Sequence, residues 1–166
     1  MACLLGGGKF STQPIVYIPS WDKRKGKLKK TDLAYTAGII DGEGWISLGR
    51  NGGAKGDKSI SLIVGVENTN EWLIRWLYFA FGGNFHPVRN RTPQRQPIWK
   101  WSLSAKKASA FLKLVYPYLN IKKPQADIAF MFQERKTKRQ CRRLSEEDRA
   151  VEEAQRILLI NMHKGK

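Results

Sequence analysis

The stretch from Leu33 to Gly44, Leu33-Ala34-Tyr35-Thr36-Ala37-Gly38-Ile39-Ile40-Asp41-Gly42-Glu43-Gly44, constrains this chain more than any other. It predicts a helix. Thr31 or Asp32 can cap it, because either side chain can accept a bond from a free N–H of the first turn. Leu33, Ala37 and Ile40 fall at i, i+4 and i+7 and make one apolar face. Ala37, Gly38 and Gly42 leave a neighbouring face almost bare. A helical glycine costs about 1 kcal/mol against alanine but lets a second backbone come close. The helix gives up propensity for contact. Gly42 and Gly44 end it, and Trp45-Ile46-Ser47-Leu48 reads as a strand.

Two carboxylates, Asp41 and Glu43, sit at that C-terminal end, where the last carbonyls already carry partial negative charge. If two copies of the helix packed through their small residues, their Glu43 carboxylates would approach each other. Like charges at short range need a metal ion or a Lys/Arg to compensate them. A metal site is one reading. The other is a buried helix end followed by a glycine turn, with Glu43 solvated.

The chain of 166 residues is long enough for one domain with a substantial core. Its 30 Lys+Arg against 14 Asp+Glu give a formal charge of +16. That excess suits a polyanion, and nucleic acid leads, since neutralising phosphates releases counterions. No long apolar run or basic amphipathic anchor points to a membrane. Two cysteines, Cys3 and Cys141, make neither a disulfide framework nor a zinc site, and His86 and His163 lack metal-ligand spacing.

Residues 1–30 stand apart as a basic N-terminal extension. Met1 to Gly8 is apolar and Gly-rich without the basic start of a signal peptide. Ile15-Val16-Tyr17-Ile18 fits a short strand. Asp22 to Lys30 holds six Lys/Arg in nine residues, either a solvated linker or an arm on a DNA backbone. Residues 31–135 are expected to form the core. After the first helix comes a strand from Trp45 to Arg50, a Gly- and Asn-rich turn, and a strand from Lys58 to Glu67. Ile60, Leu62, Val64 and Val66 alternate with Ser59, Ser61, Ile63 and Gly65, so one face is apolar. Asn68-Thr69-Asn70 caps a helix that Gly82-Gly83 stops. A second hairpin joins Asn84–Arg91, broken by Pro87, to Ile98–Ser104, in which Trp99, Trp101 and Leu103 point one way. Helices follow from Ala105 to Tyr116 and from Pro124 through Arg135. Residues 136–166 hold the rest of a basic run to Arg143 and a last helix, which Ser145 begins and which ends near His163.

Four antiparallel strands of this order can form one sheet with helices on one face, an α+β fold. The open face would carry Ser47, Asn51, Ser59, Ser61, Arg89, Arg91, Lys100 and Ser102. A twisted sheet of that polarity can lie in a DNA major groove, with strand residues at base edges and loop cations at phosphates. Arg50, Lys55, Lys58, Arg95, Lys138 and Arg139 join the expected DNA contacts. Glu67 and Glu71 are the only acids between Lys58 and Lys123, which favours DNA over a merely solvated face.

Thr36-Ala37-Gly38-Ile39-Ile40-Asp41-Gly42-Glu43-Gly44 resembles the signature of the LAGLIDADG homing endonucleases. It departs at Thr36, conservatively at Ile39, and at Gly42 and Glu43, where Glu keeps a metal-binding carboxylate. The element order over residues 31–135 resembles the αββαββα core of that family, whose saddle-like four-stranded antiparallel sheet has its helices on one face. Pro117-Tyr118-Leu119-Asn120-Ile121-Lys122 resembles the segment that brings an active-site lysine to the centre in single-motif members, and Lys122 takes that position. Asn68 falls where those enzymes hold a water-positioning polar residue. A third, basic position falls near Trp72, where no base stands; Arg75 or a residue elsewhere would replace it. The motif occurs once, so the resemblance implies a homodimer, with Ala37, Gly38 and Asp41 at its interface. It implies that Glu43, with Gly42 beside it, binds Mg²⁺, Mn²⁺ and Ca²⁺ being other candidates. Lys122 and Asn68 complete the catalytic set. The implied activity is metal-dependent double-strand cleavage of a long pseudo-palindromic DNA target for intron or intein homing. The setting would be intracellular and DNA-associated, without a membrane or small-molecule substrate. A catalytically silent binder of this type, such as an RNA maturase or a transcription regulator, is the alternative. A small basic structural nucleic-acid binder, expected to be a monomer with a solvated Glu43, is a further one.

Overall fold

The computed structural model describes residues 28–51, 59–88, 96–139 and 144–164, with the side chains of Asn51 and Lys164 left aside. Residues 1–27, and with them most of the expected N-terminal extension, lie outside it. So do Lys55, Lys58, Arg89, Arg91 and Arg95. The order is α1 (Lys30–Gly42), β1 (Gly44–Asn51), β2 (Ser59–Asn68), α2 (Glu71–Phe81), β3 (Asn84–Val88), β4 (Ile98–Ser104), α3 (Ala105–Val115), a 3₁₀ turn (Tyr116–Tyr118), α4 (Lys123–Arg139) and α5 (Glu146–Lys164). The strands form one antiparallel sheet in the order β1-β2-β4-β3.

Alternation sets the two faces of the sheet. Ile46 and Leu48 of β1, Ile60, Leu62, Val64 and Val66 of β2, and Trp101 and Leu103 of β4 are buried with Ile40, Leu77, Phe111, Leu112 and Phe132 from the helices. Trp101 also donates its indole N–H to the Gly82 carbonyl at 2.7 Å, so the largest buried ring has its polar atom satisfied. Gly82 and Gly83 turn the chain from α2 into β3 at φ +70° and +98°, which glycine adopts without a Cβ penalty. A Cβ on Gly83 would lie 2.5 Å from the Ser102 carbonyl.

The caps differ in detail from the sequence expectation. Asp32 is the third residue of α1, and its carboxylate accepts the Lys29 N–H at 3.0 Å from inside the helix. Asn70 caps α2 by accepting the Leu73 N–H at 3.2 Å. Ser104 makes no side-chain cap for α3, and Ala105 enters that helix at φ 50°. At α5, Ser145 Oγ accepts the Asp148 N–H at 3.1 Å.

The last helix is joined to the body. It runs beside β1 and α4, and its Leu159 is buried in the common core. Arg139 at the end of α4 pairs with the buried Glu152 at 2.7 Å. Arg50 pairs with Glu153 at 2.8 Å and Arg135 with Asp148 at 3.2 Å. Among the described residues no helix is long and apolar enough to cross a membrane.

Candidate active site at the end of the first helix

The two faces of α1 have different surroundings. Thr36, Ala37, Ile40 and Asp41 are buried inside the subunit. Ala34, Gly38 and Gly42, at i, i+4 and i+8, are exposed together with Thr31 and Tyr35. A Cβ placed on Gly38 or Gly42 would find nothing within 4 Å among the described residues. Of the three residues expected between two copies, Gly38 is on the outward face, whereas Ala37 and Asp41 are buried within the chain. Alanine is small enough for either side of a helix, so its spacing from Leu33 decides the matter.

Asp41 and Glu43 part company at the helix end. The Asp41 carboxylate is 8% exposed and accepts two backbone N–H groups, that of Asn120 at 2.7 Å and that of Lys122 at 2.9 Å. Lys122 is 2% exposed, and its ammonium donates to the Ile40 carbonyl at 2.6 Å and the Asp41 carbonyl at 2.8 Å. A cation on the last carbonyls of a helix is electrostatically favoured. The Glu43 N–H closes the helix onto the Ile39 carbonyl at 2.8 Å. Glu43 itself is exposed. Gly44 is held tightly beneath it, since a Cβ there would lie 2.7 Å from Ile40 Cα.

Gly42 and Glu43 are both exposed at this end, and their candidate donors are a backbone carbonyl and a carboxylate. Oxygen donors of this kind suit a hard ion such as Mg²⁺, which keeps much of its water. Among the described residues no three His, Cys, Asp or Glu side chains gather as a metal site. Of the two carboxylates at this helix end, Asp41 is buried and Glu43 is exposed.

The other expected residues divide. Asn68 ends β2, and its Oδ1 accepts the Asn70 N–H at 2.8 Å, so the side-chain oxygen that was to hold water opens the turn into α2. Trp72 is exposed. Arg75 pairs with Glu71 at 2.5 Å and lies over the Phe85 ring at 5.0 Å, so it is engaged with α2 and β3.

On the open face of the sheet, Ser47, Ser59 and Ser61 stand where alternation puts them, since Ser47 pairs with Ile63 and Asn51 with Ser59 opposite the buried parity. Ser102 shares that parity but is 9% exposed, between Gly65 of β2 and Asn84 of β3. Lys100 binds Glu67 at 2.8 Å and lies 4.9 Å from the Trp45 ring centre. That indole rests on Gly65, where a Cβ would come within 2.5 Å of Trp45 Cζ2. Sequence reasoning left Trp45, Glu67, Asn84 and His86 off this face, although strand parity and the β3–β4 register place them there. Three expected DNA contacts are elsewhere. Arg50 has the parity of Ile46 and Leu48 and turns to Glu153. Arg139 is committed to Glu152. Lys138 is on α4, paired with Glu134 at 2.8 Å.

No protein-family model and no curated protein matches this sequence. Solved structures do match. The fold is that of the LAGLIDADG homing endonucleases, with the four-stranded antiparallel sheet and helices described above. The homing endonuclease I-CvuI, in complex with the I-CreI target in 2 mM Mg, superposes with a TM-score of 0.66 at 13% identity, over 82% of this chain and 84% of that one. I-CvuI with its own target in 2 mM Ca gives 0.55 at 18%, over 63% of this chain and 66% of that one. The archaeal intron-encoded homing endonuclease I-Vdi141I, complexed with DNA, gives 0.65 at 14%, over 80% and 84%. The LAGLIDADG homing endonuclease I-LtrWI, bound to target DNA, gives 0.59 at 17%, over 80% of this chain but 45% of that one.

Proposed function

We propose that this chain is a homodimeric, divalent-metal-dependent DNA endonuclease that cuts both strands of a pseudo-palindromic site and serves intron or intein homing. The observation that carries this reading is the outward side of α1. Among the described residues a Cβ on Gly38 or Gly42 would meet nothing within 4 Å, yet Gly38, inside the helix, costs it about 1 kcal/mol. A second α1 crossing at these glycines accounts for them, and it would bring a second Glu43 beside the first. The 45% match to the I-LtrWI chain agrees with two copies of this chain doing the work of one such protein. A two-fold dimer reads a two-fold site.

Glu43 and the Gly42 carbonyl would hold Mg²⁺, which supplies a nucleophilic water and charge stabilisation at the departing oxygen. The chain provides the rest. The open face carries Ser47, Ser59 and Ser61 for base edges, and the formal charge of +16 draws the duplex in. Lys55, Lys58, Arg89, Arg91 and Arg95 belong to the segments between paired strands and would reach phosphates. The test is cleavage selection from randomised pseudo-palindromic duplexes with Mg²⁺, with Glu43→Gln alongside. Wild type should make defined double-strand cuts that EDTA stops. Glu43→Gln should bind the same site but cut at least about a thousandfold more slowly, the scale lost with a group that acts on transition-state charge. Selective retention without cutting by wild type would reassign the protein to the silent binders. No selection at all would remove the DNA reading.

A further inference from the structure

Among the described residues no hydrogen bond or ion pair holds the Glu43 carboxylate, so its aim is set by the backbone that carries it. That backbone is fixed from below by two segments far apart in sequence. Both oxygens of Asp41 are occupied, Oδ2 by the Asn120 N–H and Oδ1 by the Lys122 N–H. In return the Lys122 ammonium seals the carbonyls of Ile40 and Asp41. Four charge-assisted bonds therefore close a reciprocal clamp, which is almost wholly buried. We infer that Asp41 is a positioning residue for Glu43, and that Lys122 acts through the same clamp and not by touching DNA. This rests on the endonuclease reading above. The clamp also answers an electrostatic problem. Without the ammonium, the helix-end carbonyls and Glu43 would form one negative cluster facing a polyanion. With it, the Ile40 and Asp41 carbonyls are covered, and Glu43 is the exposed carboxylate at this helix end.

The test compares wild type with Asp41→Asn and Lys122→Met in three measurements: amide hydrogen exchange of the free protein, DNA affinity without metal, and single-turnover cleavage across a Mg²⁺ titration. Asp41→Asn turns an amide NH₂ toward one of the two N–H groups. Exchange at Asn120, Lys122 and Glu43 should rise about tenfold or more, the scale of one lost bond to a charged group. DNA affinity should stay within about threefold, because the sheet face is untouched. Cleavage should slow by about a hundredfold, with more Mg²⁺ needed for half-maximal rate, as expected for a misaimed group. A merely structural role would lower thermal stability without moving the Mg²⁺ titration. Lys122→Met keeps both N–H bonds to Asp41 and should move the titration in the same direction; it carries the test should Asp41→Asn not fold. Faster exchange at these amides with an unchanged Mg²⁺ titration in both variants would overturn the inference. If wild type cuts nothing, the endonuclease reading fails separately, and unchanged exchange at Asn120 and Lys122 in Asp41→Asn would still overturn the clamp.

Discussion

Asp41 and Glu43 are two residues apart on one helix end, carry the same charge, and are governed by different constraints. Asp41 is inside, with both oxygens satisfied by backbone N–H groups of another segment. Glu43 is outside, with its direction given only by its own backbone. The glycines around them divide the same way. Gly44 is needed within the chain, because Ile40 occupies the space a Cβ would take, whereas a Cβ on Gly38 or Gly42 would meet none of the described residues. The inner members of this set serve the fold. The outer members pack on nothing among the described residues, and there the case for a partner and a metal begins.

That contrast can be broken by substitution. The largest effect on stability should come from Gly44→Ala, whose methyl would overlap Ile40 Cα. Overpacking of this kind costs about 1–3 kcal/mol, to be read from urea unfolding. Gly38→Ala should do the reverse for the monomer, stabilising it by about 1 kcal/mol through helix propensity. The same change should weaken the dimer, seen as a higher dissociation constant in sedimentation. If Gly38→Ala leaves association untouched, the outward face of α1 is not the interface.

The smallest effect concerns charges on α5. Arg139–Glu152 is largely buried, while Arg50–Glu153 and Arg135–Asp148 are exposed. A hydrogen bond from Arg135 holds the Asp148 carboxyl below its usual range, and one from Arg50 does the same for Glu153. A carboxylate lowered by folding contributes stability that is present above its unfolded value and lost as pH falls through the folded one. Amides of α5 should therefore exchange faster below about pH 4, while those of the sheet do not change. Such exposed pairs contribute little, so the shift should be small and should fade in high salt.

Where one period governed the outcome, the sequence was readable. The alternation of β2 placed Ile60, Leu62, Val64 and Val66 in the core, and the capping and glycine signals bounded α2. Single residues were harder. Arg50 reads as a DNA contact by its charge, and strand parity sets it on the side of the sheet where it pairs with Glu153. Arg139 meets Glu152 only because α5 folds back along α4, a contact between helices that neither helix encodes alone. Asn68 offers a polar group in that neighbourhood, and one bond of its side-chain oxygen goes to the local turn, since an Asn side chain readily bonds the backbone two residues on. At the site, the position of Lys122 came from resemblance. Its burial and its bonds to Ile40 and Asp41 depend on an approach that spacing within the motif does not contain.

That approach has a consequence for how the protein is born. The bond from the Lys122 N–H to Asp41 spans 81 residues of sequence. During synthesis the motif helix leaves the ribosome long before the lysine that seals it. Closing so long a loop comes after local helices and hairpins in folding. The carboxylate end of α1 is therefore completed only once residues through Lys122 have emerged, and a chain released early carries the motif without its finished tip. The last assembly step of this helix end is thus written near the far end of the core.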